Sequence, residues 1–340
     1  MSPFVQLADP SSYVACKIDL VSDDPQREYW CDFFPQNVRN VLGRLTAPQA
    51  RKDACIAEFD KRFAAFKVDP RSFGNVVTMY DIDVWREDIF RRHGFDDPFA
   101  GDKASENAKM LPVLPSVLAH LDELDGDELA LALVRGVFAG NVFDMGAPAT
   151  AKTFQNGGVG FEETRDGIKP RPWLIDDFDT LRPRLVDVTH KHCVYFVDNA
   201  GSDVLLGALP FMRHLARHGC RVTIAANKLP ALNDVTAADM RRLWPEVCEV
   251  APSFADLPIQ IVCTGTGEPQ IDLLNVSDEL NEVAADADLV VLEGMGRGIE
   301  TNLDADLRCD RLNLAMLKDE WFAKPLGGEL YDVVCRYVPA

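Results

Sequence analysis

Positive charge is scarce in this sequence. Its 340 residues carry 35 lysines and arginines against 54 aspartates and glutamates, which gives a formal net charge of −19. Nucleic acids and anionic membranes select basic surfaces, so neither is an expected partner. No apolar run approaches the roughly 20 residues that span a bilayer. The first residues, MSPFV, also lack the basic and apolar segments of a secretory signal. We therefore expect a cytoplasmic protein.

Paired cysteine motifs are missing too. The nine cysteines are odd in number, and no two of them form a CxxC pair. Several lie in or beside apolar runs, which favours buried, reduced thiols over disulfides or a zinc site. The sequence also lacks the P-loop motif, the GxGxxG fingerprint, a DxDxT motif and an evident Ser-His-Asp arrangement. These absences disfavour several common routes to nucleotide binding and covalent catalysis.

Helical periodicity dominates the first half of the chain. Helices are predicted at 47–66, 79–93, 103–110 and 129–139, where apolar residues recur at three- and four-residue steps. Residues 1 to about 40 are predicted to be irregular because four prolines punctuate them. No strand pattern precedes about residue 185. We predict a mainly α-helical N-terminal domain over 1–185, which includes an irregular arm and a connector.

Strands alternate with helices in the second half, which we predict to be the catalytic domain, 186–340. Strands are predicted at 194–197, 221–226, 259–262, 288–292 and 330–337, and helices at 203–218, 237–244, 277–284 and 309–322. This alternation predicts a mostly parallel, doubly wound sheet with right-handed crossovers. The expected fold class is therefore α/β, with a Rossmann-like core beside the helical domain.

Polar residues follow several of these predicted strands. Asp198 and Asn199 end the first strand, Asn227 follows the second and leads to Asp234, and Glu293 ends the fourth. Because ligands bind at the carboxyl ends of parallel strands, these side chains are expected to share one edge. Carboxylate and amide oxygens suit a hard cation such as Mg²⁺ or Mn²⁺. The alternative is that each residue only forms a turn or caps a helix.

Three further residues are candidates for binding an anion. Thr264 opens a Thr/Gly loop whose backbone N–H groups could cradle a phosphate. Arg297 lies in the glycine turn GMGRG, and Lys318 follows an apolar run that is predicted to be helical. The alternatives are a glycine turn without a ligand and a solvated helix lysine. Together the residues favour metal-assisted hydrolysis of a small anionic substrate, in which the ion activates water or positions a carboxylate nucleophile.

Several motifs resemble one known family. They are VDNAG at 197–201, PALNDVT at 230–236, EGMGRGIETN at 293–302 and LGGELY at 326–331. In the helical half they are YVAC at 13–16, GFDDP at 94–98, AGNVFDMG at 139–146 and PRPWLIDD at 170–177. These stretches resemble the metal-dependent damage-control phosphatases, long described as a domain of unknown function. The likeness is closest to the branch of plant stand-alone proteins and the C-terminal domain of the pantothenate kinase 4 type.

The resemblance implies an activity and a site. It implies one divalent metal ion, Mg²⁺, Mn²⁺, Co²⁺ or Ni²⁺, held by Asp198, Asn199 and Asp234. It also implies that Lys318 binds the phosphate and that Glu293 belongs to an acidic pocket. Asn227, Thr264 and Arg297 are expected to bind the substrate. The implied substrate is 4′-phosphopantetheine or its oxidised and damaged forms, whose dephosphorylation keeps damaged intermediates out of coenzyme A.

The sequence departs from the family beside the implied metal ligands. Many relatives have serine where Ala200 stands, so a hydroxyl group is missing there. A binding module without catalytic activity is therefore one alternative to a phosphopantetheine phosphatase, and a sugar-phosphate phosphatase, as in other branches of the family, is another. A third alternative is an S-adenosylmethionine-dependent carboxyl methyltransferase, which the α/β core and the glycine turns would also fit.

Overall fold

The protein is described here from a computed structural model, which covers residues 1–142 and 159–340. Helices make up most of the chain before the sheet. They are α1 (Asp24–Arg44), α2 (Gln49–Val68), α3 (Met79–Arg92), α4 (Ala100–Met110), α5 (Leu114–Asp122), α6 (Gly126–Val142), α7 (Val159–Gly167) and α8 (Phe178–Val186). The helical character predicted for the first half is confirmed. The domain boundary at residue 185 stays a prediction, and residues 143–146 of the AGNVFDMG motif lie outside the described residues.

The predicted irregular arm is shorter than expected, because α1 begins at Asp24. The side chain of Asp23 caps this helix by accepting a hydrogen bond from the backbone N–H of Gln26. Pro25 lies in the first turn, where its missing N–H costs nothing. The prediction of irregular structure up to about residue 40 was therefore wrong from residue 24 onwards. It treated a proline that starts a helix as one that breaks it.

A seven-stranded sheet follows, in the order β1-β7-β6-β5-β2-β3-β4. The strands are β1 (Ile175–Asp176), β2 (His192–Phe196), β3 (Arg221–Ala226), β4 (Ile259–Cys263), β5 (Leu289–Glu293), β6 (Asp310–Met316) and β7 (Val333–Val338). Strands β2 to β6 pair in parallel, which confirms the predicted α/β core. All residues of β2 and β5 are buried. Their continuous apolar character reflects cover on both faces of the sheet.

Four helices connect or follow the strands of this sheet. They are α9 (Leu209–Arg217), α10 (Ala237–Val250), α11 (Asp278–Val283) and α12 (Glu320–Ala323). Two π-helical turns, Asp203–Ala208 and Gly296–Thr301, follow β2 and β5. Both turns therefore begin at the edge of the sheet where the predicted site residues lie. In the described ranges no helix is long and apolar enough to cross a membrane.

The helix predicted at 309–322 was wrong, because residues Asp310–Met316 form strand β6. The run is rich in leucine, alanine and methionine, which favour helices in isolation. In the fold it pairs with β5 on one side and with antiparallel β7 on the other. Leu312, Leu314 and Met316 do alternate with the residues between them, but so short a run does not distinguish a strand from a helix by pattern alone. Lys318 consequently lies just beyond a strand end and not on a helix.

The expectation of no strand before residue 185 was also wrong, although only two residues are affected. Ile175 and Asp176 form β1, which pairs in parallel with β7 at the edge of the sheet. Such a short strand carries no periodic signal.

Candidate active site

The DN and ND motifs meet at the carboxyl edge of the sheet. Asn199 and Asp234 form an antiparallel backbone bridge. The N–H of Ala200 donates to the carbonyl of Asn233 at 3.0 Å, and the N–H of Val235 donates to that of Asp198 at 3.0 Å. Two loops separated by more than thirty residues in sequence are thus fixed to each other by main-chain hydrogen bonds. This places the two aspartates side by side.

A single arginine joins the two aspartates. The Nη1 of Arg297 donates to Oδ1 of Asp198, and its Nη2 donates to Oδ2 of Asp234. Nη1 also donates to the carbonyl of Pro269 at 3.0 Å. Burial opposes the charge of Arg297, but Asp234 and Asp198 outweigh this and raise its pKa. The guanidinium is therefore charged and bound to two of the three predicted metal ligands.

Two buried residues that sequence reasoning did not select support Asp198 and Asn199. The amide of Asn141, at the end of α6, donates to Oδ2 of Asp198 at 3.1 Å and to Oδ2 of Asp203 at 3.0 Å. Asp203 also accepts from the backbone N–H and the side-chain amide of Asn199, at 3.0 and 2.9 Å. Asn141 was detectable as a lone amide ending an apolar helix. Asp203 begins the helix predicted at 203–218, where an aspartate is typical of a helix cap, and its carboxylate binds Asn141 and Asn199 instead.

Glu293 and Asp203 form a buried acidic pair. Burial, and then the neighbouring charge of Asp203, raises the pKa of Glu293 well above its ordinary value. Burial and the charge of Asp198 raise the pKa of Asp203 to about 7. Two neighbouring carboxyl groups that are both removed from water favour sharing a proton. Tyr195, one strand away, likewise has its pKa raised by burial and by Glu293.

Lys318 contributes positive charge to this group from the end of β6. Its charge lowers the pKa of Asp203, against the larger effect of burial. Its backbone N–H lies 3.5 Å from the Sδ of Met295, which follows Gly294 in the loop after β5. Lys318 is therefore within electrostatic reach of the acids, as the sequence predicts for a phosphate-binding lysine.

Asn227 and Thr264 occupy the neighbouring strand ends. The amide of Asn227 donates to Oδ2 of Asp234 at 3.1 Å and to the carbonyl of Glu268 at 2.8 Å. The backbone of Thr264 bonds to Ala226 and Ser277 at 2.8 and 2.7 Å. Asn227 thus supports a predicted metal ligand directly, whereas Thr264 lies at the end of β4 with its main chain committed to neighbouring segments.

Gly294 explains part of the glycine turn. Its φ is +86°, a region that favours glycine, and a Cβ at this position would overlap the carboxylate of Asp198. The loop after β5 therefore has to approach the first aspartate without a side chain. This confirms the interpretation of the turn as a site of close backbone approach.

The chemistry of the group fits a hard cation. The buried Oδ1 atoms of Asn141 and Asn227 and both Oε atoms of Glu293 have no hydrogen-bond donor within the described residues. Two carboxylates, Asp198 and Asp234, share the single guanidinium of Arg297, and Asp203 and Glu293 lie beside them with raised pKa values. Unmatched oxygen acceptors with surplus negative charge suit Mg²⁺ or Mn²⁺. In the described ranges no three histidine, cysteine or acidic side chains form a ready metal cluster, and the predicted set contains only two acids and an amide.

The fold and the site define an α/β enzyme with an acidic, oxygen-rich centre at the carboxyl edge of its sheet. The model of the damage-control phosphatase ARMT1-like domain matches residues 31–334. The chain is 37% identical to the damage-control phosphatase At2g17340 of Arabidopsis thaliana, over 99% of this chain and 97% of that protein. The chain belongs to the ARMT1-like damage-control phosphatases, and it is a phosphatase.

Other similar proteins are longer than this chain. The 4′-phosphopantetheine phosphatase of Mus musculus is 32% identical over 97% of this chain, which spans 48% of the mouse protein. Pantothenate kinase 2 of Arabidopsis thaliana is 35% identical, and the chain spans 42% of it.

A crystal structure of a duf89 family protein from Pyrococcus horikoshii has a TM-score of 0.67 at 20% identity, covering 90% of this chain and 97% of that one. The structural likeness supports the fold.

Proposed function

We propose that this phosphatase hydrolyses 4′-phosphopantetheine, or its oxidised and damaged forms, with the help of one divalent metal ion. The observation that carries this proposal is the meeting of Asp198, Asn199 and Asp234 on paired backbones beside Lys318. The names of two relatives, the mouse 4′-phosphopantetheine phosphatase and the plant damage-control phosphatase, support the substrate and the role in metabolite repair.

The metal would be held by the two aspartates and the amide of Asn199. Bound there, a divalent cation would withdraw negative charge from the phosphoryl group and so favour attack on phosphorus. The choice of Mg²⁺, Mn²⁺, Co²⁺ or Ni²⁺ as that cation, which the family resemblance implies, belongs to the same proposal. The surplus of buried acceptor oxygens at the site supports it.

The remaining residues of the site bind, orient and hold protons. We assign to Lys318 the binding of the substrate phosphate, because its positive charge acts on Asp203 and its backbone lies beside the loop that follows β5. Burial and the neighbouring charge of Asp203 raise the pKa of Glu293 well above its ordinary value, which favours its protonated form. Asp203 in turn accepts from Asn199 and fixes the orientation of that amide.

The unpaired state of the cysteine thiols supports a proposal for the cellular location of the protein. All nine cysteines are unpaired and seven of them are buried, which is typical of a reducing compartment. We therefore propose a cytoplasmic enzyme that acts on a small phosphorylated metabolite.

A substrate panel tests the proposal. Purified protein is assayed for phosphate release from 4′-phosphopantetheine, its disulfide and sulfonate forms and several hexose phosphates, with Mg²⁺, Mn²⁺, Co²⁺ or Ni²⁺. We expect the phosphopantetheine compounds to have the highest kcat/KM. Preference for a hexose phosphate would move the assignment to a sugar-phosphate phosphatase. No release from any compound, together with micromolar S-adenosylmethionine binding by calorimetry, would favour a methyltransferase.

A further inference from the structure

Arg297 links three loops, two of which carry the site aspartates. Its side chain is 1% exposed and contacts Asp198, Asp234 and the carbonyl of Pro269. These partners belong to the segments that follow β2, β3 and β4. Each terminal nitrogen of the guanidinium donates to one of the two carboxylates, so the planar group sets their separation.

The carboxylate of Asp198 is held through both of its oxygens. Its Oδ1 accepts from Arg297, and its Oδ2 accepts from the amides of Asn141 and Asn199 at 3.1 and 2.8 Å. Asp234 accepts from Arg297 through its Oδ2. The side chains of Asp198 and Asp234 are 10% and 2% exposed, so Asp198 is the more accessible of the two acids.

The backbone of Arg297 is held as firmly as its side chain. The amide of Asn302 donates to the carbonyl of Arg297 at 2.9 Å and to that of Ile271 at 3.1 Å. The hydroxyl of Tyr13 donates to Oδ1 of Asn302 at 2.8 Å. Thr301 closes the π-helical turn by donating to the carbonyl of Gly296 at 2.8 Å. The turn that carries Arg297 is thus fixed by hydrogen bonds. The position of the arginine is therefore defined before any ligand binds.

We infer that Arg297 is a positioning residue for metal binding: it holds Asp198 and Asp234 at the separation that a divalent cation requires. The inference rests on the proposed metal-dependent phosphatase and goes beyond it by assigning Arg297 a role through the carboxylates. Arginine suits this role because its planar fork offers two donors in fixed geometry, whereas lysine offers one compact charge. Partners that orient metal ligands commonly contribute ten- to a hundredfold to affinity.

A competing explanation is that the guanidinium occupies the position of the metal and has to leave when the metal enters. The two explanations predict opposite effects of replacing Arg297. A positioning residue strengthens metal binding, so its replacement weakens binding. A competitor weakens metal binding, so its replacement strengthens it.

The test is calorimetric titration of the metal-stripped, full-length protein with Mn²⁺. Arg297→Lys keeps the positive charge but replaces the rigid two-nitrogen fork with a single ammonium nitrogen, so a change in affinity reports on how the two carboxylates are oriented. Arg213→Lys is the matched control. Arg213 is also a buried arginine, and it binds Asp122 through two hydrogen bonds of 2.9 and 2.8 Å far from the site in the fold.

We expect Arg297→Lys to weaken Mn²⁺ binding by about ten- to a hundredfold, and Arg213→Lys to bind within about twofold of the wild type. Equal or tighter binding by Arg297→Lys would overturn the inference and leave the proposed function intact. If the wild type binds no Mn²⁺, the proposed function fails and the inference fails with it.

A second measurement on the wild type keeps the inference testable if Arg297→Lys does not fold. Crystals soaked in Mn²⁺ should show anomalous density beside Asp198 and Asp234 while Arg297 still bridges the two side chains. An arginine that has moved away from both carboxylates in the Mn²⁺-bound crystal would contradict the positioning role.

Discussion

Two arginine centres in this protein have opposite charge balance. At the edge of the sheet, the Arg297 centre joins one guanidinium to two carboxylates, Asp198 and Asp234, and is almost fully buried. Between α9 and the end of α5, the Arg213 centre joins two guanidiniums, Arg213 and Arg217, to the single carboxylate of Asp122. Asp122 and Arg217 are 42% and 50% exposed, so water screens the excess charge there.

The difference indicates what each centre is for. Surplus positive charge at a half-exposed helix surface needs no further partner, so the Arg213 centre is complete as a structural ion pair. Surplus negative charge in a buried place is costly unless a cation compensates it. At the Arg297 centre two carboxylates share one guanidinium, and burial and the neighbouring charges raise the pKa values of Asp203 and Glu293 beside them. The same ionic chemistry is therefore structural in one place and prepared for a ligand in the other.

The largest effect is expected from removing a carboxylate from the Arg297 centre. Asp198→Asn or Asp234→Asn should lower kcat/KM for phosphate release by about a hundred- to a thousandfold, because metal assistance contributes several kcal/mol to the transition state. Asp122→Asn removes the carboxylate of the Arg213 centre and should leave kcat/KM within about twofold. Equal losses in the three variants would show that the two centres do not differ in function.

The next largest effect is expected at Lys318. Lys318→Met should lower kcat/KM by about ten- to a hundredfold, since a charge-assisted hydrogen bond contributes roughly 1.5–3 kcal/mol. Lys324→Met is the control, because Lys324 pairs with Glu320 on the surface of α12 and is 69% exposed. A change at Lys324 as large as that at Lys318 would remove the assignment of Lys318 to the phosphate.

Metal binding should stabilise the fold through one centre only. A ligand present at a hundredfold excess over its dissociation constant stabilises the folded state by about 2.7 kcal/mol. We expect Mn²⁺ to raise the Tm of the wild type and of Arg213→Lys by similar amounts, and to leave the Tm of Asp198→Asn unchanged. A shift of equal size in Asp198→Asn would place the metal elsewhere.

A smaller effect is expected in the pH dependence of the free energy of unfolding. It comes from Glu300, another buried acid near the Arg297 centre. Burial, followed by the charge of Asp83, raises the pKa of Glu300 from its ordinary 4.5 to about 8. Because the folded-state pKa is raised, the stabilisation is complete below the unfolded pKa and is lost as the pH rises from about 4.5 to 8. The free energy of unfolding of the metal-free wild type should fall between pH 5 and pH 8. In metal-free Glu300→Gln this fall should be smaller by about 1–3 kcal/mol. Parallel stability curves from urea unfolding would contradict this.

Much of the sheet edge was predictable because strand ends leave a local signal. Asp198, Asn199 and Glu293 directly follow buried apolar strands, so a parallel sheet places them together. The backbone pairing of the DN and ND motifs agrees with that expectation. Their roles as ligands stay predictions, as do those of Asn227, Thr264 and Lys318.

The rest of the site depends on long-range packing that no local pattern records. Asn141 reaches Asp198 from a helix 57 positions earlier in the chain, and Arg297 reaches it from a π-helical turn 99 positions later. The strand β6 was mistaken for a helix because its leucine and alanine residues favour helices until two neighbouring strands override that preference. Local propensity identified β2 and β5 from their β-branched and aromatic runs and failed at β6, whose residue types favour a helix.

The central claim is that the carboxylates of the Arg297 centre serve a metal-dependent phosphatase. The most direct test is phosphate release from 4′-phosphopantetheine by metal-stripped protein as Mn²⁺ is added back. We predict turnover at background level in chelator and a rise that saturates near one equivalent of Mn²⁺. Full turnover in the presence of chelator, or restoration to the same level in Asp198→Asn, would contradict the claim.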